Sequence, residues 1–284
     1  MGDDGFTMQI FNEHNRAIRR KRAARRKEES FLLIRAAEDA ADKIGDVNRR
    51  FEHILVIGLP AFRQRFEAAL DPSKRPDHMS HSIDWPQDWS SYLSSSQPVD
   101  AIISGLVLQS YNHLPEALIM ARQVLKEDGF FLSAIIGDES LKQFREILMA
   151  VDGDVFDGVF PRVAPMIGLQ QAGALLQMSG FNLPVIERDH INVTYKNLQT
   201  LVNDLRDIGE TGVLKDGRNN PYPGRDYLKN ANEKAMARAQ NGRVSIDFDI
   251  IWMSGWSPHP DQPKPLKPGS AQMKLSDAVN RIKG

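Results

Sequence analysis

The sequence predicts an α/β fold built on a doubly wound sheet, with a helical arm before the sheet and further segments after it. Short apolar runs at residues 53–58, 99–104 and 130–136 alternate with segments whose apolar residues recur every three or four positions. This alternation of strands and helices is typical of a parallel sheet covered by helices on both faces. The chain has 284 residues, of which 41% are hydrophobic, and this is enough for a core of that kind.

The first half of the chain contains three well-marked elements and one irregular stretch. An amphipathic helix is predicted over residues 31–44, a buried strand over 53–58, a helix opened by a proline over 60–70, and mostly loop over 71–98, with at most a short strand near 79–83. The irregular stretch separates the first strand from the next one.

The second half is more regular. The predicted order is a strand at 99–104, a helix at 114–125, a turn at 127–129, a strand at 130–136, helices at 140–151 and 168–178, strands at 184–187 and 190–195, helices at 198–208 and 225–239, and a strand with one solvent-exposed face at 243–255. We expect three regions: a basic helical arm at 1–50, the α/β domain at 51–256 and a proline-rich tail at 257–284.

Composition excludes several classes of function. The formal net charge of −1 argues against a protein that binds polyanions with its whole surface. The absence of cysteine excludes disulfides, thiolate catalysis and cysteine-ligated zinc or iron–sulfur centres. Since the sequence contains no run of 18 apolar residues and its acidic N-terminus lacks an apolar signal region, we expect a cytoplasmic protein.

A nucleotide would be expected at the turn after the first strand, where doubly wound sheets place their cofactors. Glycines are needed there because they allow positive φ and let the backbone approach the ligand closely. The turn contains Gly58, but Pro60 has a fixed φ and Phe62 places a large side chain where a ligand needs room. The turn alone is therefore a weak signal for a nucleotide site.

Longer motifs, distributed over most of the chain, carry a family resemblance. They are IFNEHNRAIRRKRAA (10–24), DVNRRF (46–51), VDAIISGLVLQSYNHLPEAL (99–118), VLKEDGFFLSAIIGDESLKQFRE (124–146), PRVAPMIGLQQAGALLQMSGFNLPVI (161–186), VTYKNLQTLVNDLRDIGETGVL (193–214) and PGSAQMKL (268–275). The sequence resembles class I S-adenosylmethionine (SAM) methyltransferases. Within them it is most similar to the methyltransferase-like assembly factors of respiratory complex I, from mitochondria and alphaproteobacteria, which are related to biotin-pathway methyltransferases.

The resemblance implies a SAM site, but the motif that would form it is altered. Family members carry L-D-L-G-x-G-x-G at the first strand, where this chain has Val56 for the acid and Pro60 and Phe62 for two glycines. The remaining candidate cofactor residues are Gly58, Asp84, as the one acid available for the ribose, and Ser104. No metal is expected.

The size of the expected loss in SAM affinity favours a pseudoenzyme. A hydrogen bond to a charged group contributes about 1.5–3 kcal/mol, so losing two weakens SAM binding by roughly 10²–10⁴-fold. We therefore expect a non-catalytic factor that binds a subunit or assembly factor of a respiratory-chain complex. The alternative is an active SAM-dependent methyltransferase, or the protein-arginine hydroxylase activity that the resemblance implies.

Acidic and basic residues after the 130–136 strand are the only catalytic candidates. Asp138, Glu139 and Arg145 follow the strand where catalytic groups often lie in α/β sheets, and they match a G-G-D/E-T-L-x-x-L-R motif that the resemblance implies. The alternative interpretation is an acid that caps a helix and an arginine on the helix surface.

Eight basic residues lie between Arg16 and Lys27. This run could contact an anionic membrane surface, or dock on a protein partner or on its own domain. Nucleic acid is not expected, because no aromatic residues are interleaved and two glutamates follow at once.

Three further groups have ordinary structural interpretations. His78 and His81 lack the remaining ligands of a metal site and are expected to be exposed loop residues. Asp204, Arg206 and Glu210 form either an interaction face or a solvated helix end, while Trp252 and Trp256 are expected to pack in the core or cover the sheet.

Overall fold

The computed structural model describes residues 9–26, 30–94, 99–215, 220–222, 224 and 226–263. The helices in these residues are α1 (Glu13–Ala23), α2 (Phe31–Asp46), α3 (Pro60–Ala69), α4 (Ser90–Leu93), α5 (Leu114–Val124), α6 (Lys142–Phe156), α7 (Leu169–Met178), α8 (Leu198–Asp207) and α9 (Tyr227–Ala237). The strands are β1 (His53–Ile57), β2 (His78–Ser82), β3 (Val99–Gly105), β4 (Leu125–Ile136), β5 (Asn182–Tyr195) and β6 (Val244–Trp256). The 268–275 motif and most of the proline-rich tail lie outside the described residues.

All six strands form one sheet in the order β2-β1-β3-β4-β6-β5. Strands β1 to β4 are parallel, whereas β6 is antiparallel to both of its neighbours. The structure confirms the doubly wound α/β fold. The prediction of a parallel sheet is wrong for β6, because a pattern of apolar residues carries no information on strand direction. The carboxyl ends of β1 to β4 meet at one edge of the sheet, and this edge positions the candidate site.

Helices cover both faces of the sheet. In β1, Ile54 and Val56 belong to a core cluster that includes residues of α2, α3, α6, α8 and α9, while Leu55 and Ile57 belong to a second cluster that includes residues of α5 and α7. This division follows from the alternation of side chains along a strand. Trp252 is buried in the first of these two layers and Trp256 packs against it, which confirms the core prediction for both residues.

Helix α1 lies against the α/β domain. The backbone N–H of Asn12 donates to the Val213 carbonyl at 2.7 Å, and Phe11 forms a β-bridge with Leu214. Ala23, near the end of α1, packs in the same core as α2. The basic run therefore docks on its own domain, one of the options that the sequence left open.

Two boundaries differ from the sequence prediction. The predicted turn at 127–129 is part of β4: Asp128 has φ +57°, and the register against β3 shifts between Val99 and Ala101, so the turn-forming residues make an irregularity within the strand. The two strands predicted at 184–187 and 190–195 are one strand, β5. Its polar centre continues the pairing with β6, and Asp189 pairs there with Arg35 of α2.

Two environments also differ. Strand β6 has the predicted alternation of buried and more exposed residues only at 244–247; residues 248–253 are all buried, because β6 lies inside the sheet. His78 and His81 lie on β2 and not in a loop. The His78 ring lies 4.6 Å from that of His53, while His81 is half-buried and its Nε2 lies 2.9 Å from the Gly58 carbonyl oxygen.

Candidate functional site

The three candidate cofactor residues lie where the sequence places them, at the carboxyl ends of β1, β2 and β3. Gly58 directly follows β1, and its N–H donates to the Ser82 carbonyl at the end of β2 at 2.9 Å. Asp84 lies two residues beyond β2. Ser104 belongs to β3 and is fully buried, and its hydroxyl has no hydrogen-bond partner among the described residues.

The Phe62 ring covers the glycines of this edge. Phe62 is fully buried in the first turns of α3. A Cβ atom added at Gly105, the last residue of β3, would lie 2.3 Å from Phe62 Cε2, and one added at Gly58 would lie 3.1 Å from Phe62 Cδ1. The Phe62 ring therefore leaves no room for a side chain at Gly105 and little room for one at Gly58, and it lies close to the backbone of both glycines.

Asp84 is held by an arginine of the N-terminal helix. Arg16 Nη2 and Nη1 donate to the two carboxylate oxygens at 2.6 and 2.8 Å, a bidentate pair. The same guanidinium donates through Nε to Ser110 Oγ at 3.1 Å and through Nη2 to the Val107 carbonyl at 2.9 Å. The carboxylate that the sequence offers to a ribose is thus engaged by Arg16.

Arg20, one helical turn after Arg16, reaches the same edge. Its side chain is 1% exposed; Nη1 donates to the Leu106 carbonyl at 3.1 Å and Nη2 to the Ile83 carbonyl at 3.0 Å. The Nε atom lies 3.5 Å from Asp84 Oδ1. Arg16 and Arg20 together cap the backbone that leaves β2 and β3.

Glu210 extends this network beyond α8. Gln109 Nε2 and Ser110 Oγ donate to the same Glu210 oxygen at 2.8 and 3.0 Å. Burial raises the pKa of Glu210, and the nearby Arg20 and Arg16 charges oppose that shift. Glu210 is therefore not a solvated helix end, which was one of the two interpretations of the sequence. Asp204, the other acid of that group, accepts a hydrogen bond from Tyr195 Oη at 2.8 Å.

A chamber of about 480 Å³ lies beside this network, and we call it the apolar chamber. Gln109 and Glu210 belong to one wall, and Ile136, at the carboxyl end of β4, belongs to another. Side chains of α6, α8, α9 and the 161–166 segment complete it, among them Phe144, Leu148, Val163, Val202, Leu205 and Leu228. The same sheet edge is thus filled at β1–β3 and open at β4.

The candidate catalytic residues are near one another in sequence but form separate contacts. Glu139 pairs with Lys142 on the surface, and it does not cap α6, whose N-cap residue is Leu141 without a side-chain cap. Asp138 Oδ1 lies 3.7 Å from Arg188 Nη2. No ion pair links Arg145 to either acid among the described residues, so the catalytic role of these three residues stays a prediction.

Arg188 of β5 leads to a second cluster of charged residues. Its Nε lies 3.3 Å from Asp249 Oδ2, and His190 Nδ1 lies 2.8 Å from Asp249 Oδ1. Asp249 is fully buried, and its hydrogen bond raises the pKa of His190.

Sequence reasoning missed the inward roles of Arg16, Arg20 and Glu210. The available signal was the four-residue spacing of Arg16 and Arg20, which places them on one face of a helix. Eight basic residues in one run obscure that spacing.

The remaining cations of the run lie at the surface. Arg26 pairs with Asp207. Arg19 is half-buried, and its guanidinium lies beside Gly212. The outer basic face consists of the exposed Lys21, Arg22 and Arg25, and none of these has an ion pair within the described residues. Lys27 lies outside them.

A search of the described residues for metal sites finds no group of three or more His, Asp or Glu side chains positioned to hold an ion. Among the same residues, no helix is long and apolar enough to cross a bilayer.

Comparisons with known proteins agree with the resemblance seen in the sequence. The chain is 32% identical over 178 residues to "Arginine-hydroxylase NDUFAF5, mitochondrial" of Danio rerio, covering 63% of this chain and 56% of the relative. It is 26% identical over 290 residues to the Homo sapiens protein of that name, covering 95% and 84%. It is also 28% identical over 160 residues to malonyl-[acyl-carrier protein] O-methyltransferase of Xylella fastidiosa, covering 56% and 52%.

In the Danio and Xylella proteins, the match spans little more than half of the relative's own length. No family model matches the chain. Among solved structures, a putative type II methyltransferase from Anaeromyxobacter dehalogenans has a TM-score of 0.46 at 12% identity, covering 78% of this chain and 97% of that one. The chain is thus related in sequence to the NDUFAF5 proteins and to the malonyl-[acyl-carrier protein] O-methyltransferases.

Proposed function

We propose that this chain is a methyltransferase-like protein that has lost ordinary SAM binding and acts as a non-catalytic assembly or interaction factor for a respiratory-chain complex. One observation carries the proposal: the chain's own Phe62, Arg16 and Arg20 lie at the ends of β1 to β3, where doubly wound sheets place their cofactors. The family resemblance supplies the respiratory-chain part of the proposal.

The residues at this position do not fit SAM. An adenosine group next to Gly58 and Gly105 requires the space of the Phe62 ring, and a ribose contact to Asp84 requires the bidentate bond to Arg16 to break. Breaking that bond leaves Arg16 and Arg20, which are 5% and 1% exposed, buried without their carboxylate. A buried charge without a partner is strongly destabilising, so SAM could bind here only by breaking an ion pair that stabilises the fold.

The outer basic face is the surface that we assign to a protein partner. Its three exposed cations are free of ion pairs within the described residues, while the opposite side of α1 is fixed on the domain by Arg16 and Arg20. The same face could contact anionic lipid at the periphery of the inner membrane of a bacterium, with the rest of the protein in the cytoplasm.

Calorimetric titration with SAM and S-adenosylhomocysteine tests the proposal. We expect no heat of binding for the natural protein. Phe62→Ala should open the position between Gly58 and Gly105, whereas Phe66→Ala should not, because the equally buried Phe66 ring is not among the atoms nearest to either glycine. Both variants lose a similar packing contribution, so Phe66→Ala controls for general destabilisation.

Micromolar binding of SAM to the natural protein would overturn the proposal. It would favour the second candidate, an active SAM-dependent methyltransferase or arginine hydroxylase, which the printed names of the relatives support. In that case Asp84 is the expected ribose ligand, and Asp84→Ala should abolish both binding and activity.

A further inference from the structure

Strand β5 forms one edge of the sheet. It has 14 residues and, among the described strands, it pairs with β6 alone. From Val185 to Tyr195 this pairing runs in register without a bulge. The strand at the other edge, β2, has only 5 residues. We propose that β5 binds an extended segment of a partner protein as an additional antiparallel strand. This goes beyond the proposed function, since it requires neither SAM nor the outer basic face.

The edge of β5 lacks the usual protection over most of its length. The outward N–H and C=O groups of an edge strand can pair with another chain, and proteins commonly prevent this with prolines, lysines or bulges. In β5 such devices lie only at the start, where Pro184 falls within a register shift between Asn182 and Val185. Residues 185–193 include neither proline nor lysine, and Val185 is 50% exposed. This stretch is therefore open to an added strand.

On the side of α2, β5 presents acids followed by apolar side chains. Glu187 and Asp189 pair with cations of α2, but 54% and 25% of their side chains stay exposed. Ile191 and Val193 come next on this face, where they pack against the core and are half-buried. A strand added beside β5 would thus meet acids at one end of this face and apolar groups at the other.

On the opposite face, β5 presents cations. Arg188 and His190 are 37% and 56% exposed, and both contact the buried Asp249 of β6. The bond to Asp249 raises the pKa of His190, which favours its charged form. Asp247 of β6 and Asp138 after β4 also face this pair. Since these acids do not lie on the outer side of β5, an added strand there would have Arg188 and His190 as its direct neighbours.

This arrangement of charges favours a different protein over a second copy of the chain. Side chains directly opposite each other on neighbouring strands interact, and like charges in that position are destabilising. Antiparallel pairing of β5 with itself about a twofold axis at any residue from 187 to 190 would place that charged residue opposite itself. A complementary strand instead has cations opposite Glu187 and Asp189 and acids opposite Arg188 and His190.

Two peptides of identical composition test this pattern on the full-length protein at about pH 6. The peptide VTVDKEKVV, aligned antiparallel to residues 185–193, places its lysines opposite the two acids and its acids opposite Arg188 and His190. The peptide VTVKDKEVV reverses these charges. Fluorescence anisotropy of the labelled peptides should show saturable binding of the first and at least about tenfold weaker binding of the second. Equal binding of the two, or no binding of the first, would overturn the proposal.

A change to the peptide backbone separates strand pairing from attraction by charge. VTVDKEKVV that is N-methylated at its four charged residues keeps its charges but lacks the N–H groups needed for pairing, so it should not bind. Hydrogen–deuterium exchange with the unmodified peptide should show protection within 185–193 and no change in α1. Binding that survives N-methylation, or protection confined to α1, would contradict an added strand.

A charge reversal on β5 tests the register. Glu187→Lys should weaken binding of VTVDKEKVV, and the peptide VTVDKEEVV should restore it, because the seventh peptide residue lies opposite position 187. Glu67→Lys on α3 is the matched control, since Glu67 is 52% exposed and also pairs with a cation. Circular dichroism checks that both variants fold. Equal losses in the two variants, no restoration, or a dimer of the natural protein in sedimentation that the peptide dissociates would overturn the proposal.

Discussion

The two halves of the carboxyl edge of the sheet differ in what occupies them. At the ends of β1 to β3, the chain fills the edge with an aromatic ring and two arginines bound to carbonyls and to Asp84. At the end of β4, it leaves an apolar chamber of about 480 Å³. The filled half is rich in buried charge and hydrogen bonds, whereas the open half is mostly aliphatic.

The difference shows that a chain's own side chains can lie at the sheet edge where doubly wound sheets place a ligand. The Arg16 guanidinium and the Phe62 ring supply charge compensation and packing at the filled half. Since Arg16 holds α1 on the sheet edge and Phe62 is fully buried there, their removal should lower stability. The predictions below test how the filled half is held and compare it with other parts of the molecule, from the largest expected effect to the smallest.

Asp84→Ala should be the most destabilising change at the filled half. It leaves the buried Arg16 and Arg20 without their shared carboxylate, and removing one partner of a buried ion pair lowers the free energy of unfolding by about 3–5 kcal/mol. Urea denaturation of the variant and the natural protein measures this loss.

Asp77→Ala is the matched control for that experiment. Asp77 pairs with Arg50, but their side chains are 64% and 49% exposed, and such a pair contributes about 0–1 kcal/mol. If Asp84→Ala costs no more than Asp77→Ala, the arginines do not depend on Asp84 and our account of the filled half is wrong.

Gly105→Ala should lower the free energy of unfolding by about 1–3 kcal/mol, because its Cβ would lie 2.3 Å from the Phe62 ring. The loss should disappear when Gly105→Ala is made in a Phe62→Ala background, since the ring is then absent. Thermal or urea denaturation of the four proteins in this cycle measures the coupling.

Gly153→Ala in α6 separates the packing effect from the general effect of adding a methyl group. Nothing lies within 4 Å of a Cβ added at Gly153, so this change should stabilise the helix by about 0.5–1 kcal/mol. Equal losses from Gly105→Ala with and without Phe62 would show that the ring does not occupy this space.

The smallest effect concerns the charged cluster at β5 and β6. Hydrogen bonding to Asp249 raises the pKa of His190, and Asp247 and Arg188 also face it. The stability that the protonated ring contributes is fully present below about pH 6.5 and is lost as the pH rises through the raised pKa. His190→Gln should remove this step from stability measured against pH, and the exposed His14→Gln should not. A step that survives in His190→Gln must arise from another group.

Much of the fold could be predicted from sequence because its signals are local. Apolar spacing and Pro60 locate α2, β1 and α3 within a residue or two, and Gly180, at φ +79°, follows α7 as expected. The Asp128 irregularity and the continuous β5 could not be seen, since both depend on pairing with strands distant in sequence.

The sequence predicts which glycines the turn after β1 lacks, but it does not predict which side chains lie at that edge of the sheet. The loss of glycines at Pro60 and Phe62 is visible in the sequence, and the structure places the Phe62 ring over Gly58 and Gly105. The bonds of Arg16 to Asp84 join residues 68 apart, and no local pattern singles out one arginine from a basic run. The apolar chamber likewise depends on how α6, α8 and α9 pack together.

Hydrogen–deuterium exchange of α1 and of residues 58–62, with and without millimolar SAM, tests the central claim most directly. If Phe62, Arg16 and Arg20 permanently fill the cofactor position, the backbone amides of both segments exchange slowly and SAM changes neither rate. Faster exchange in α1 together with protection of residues 58–62 on adding SAM would contradict the account, because it would show that the cofactor displaces the helix and binds in its place.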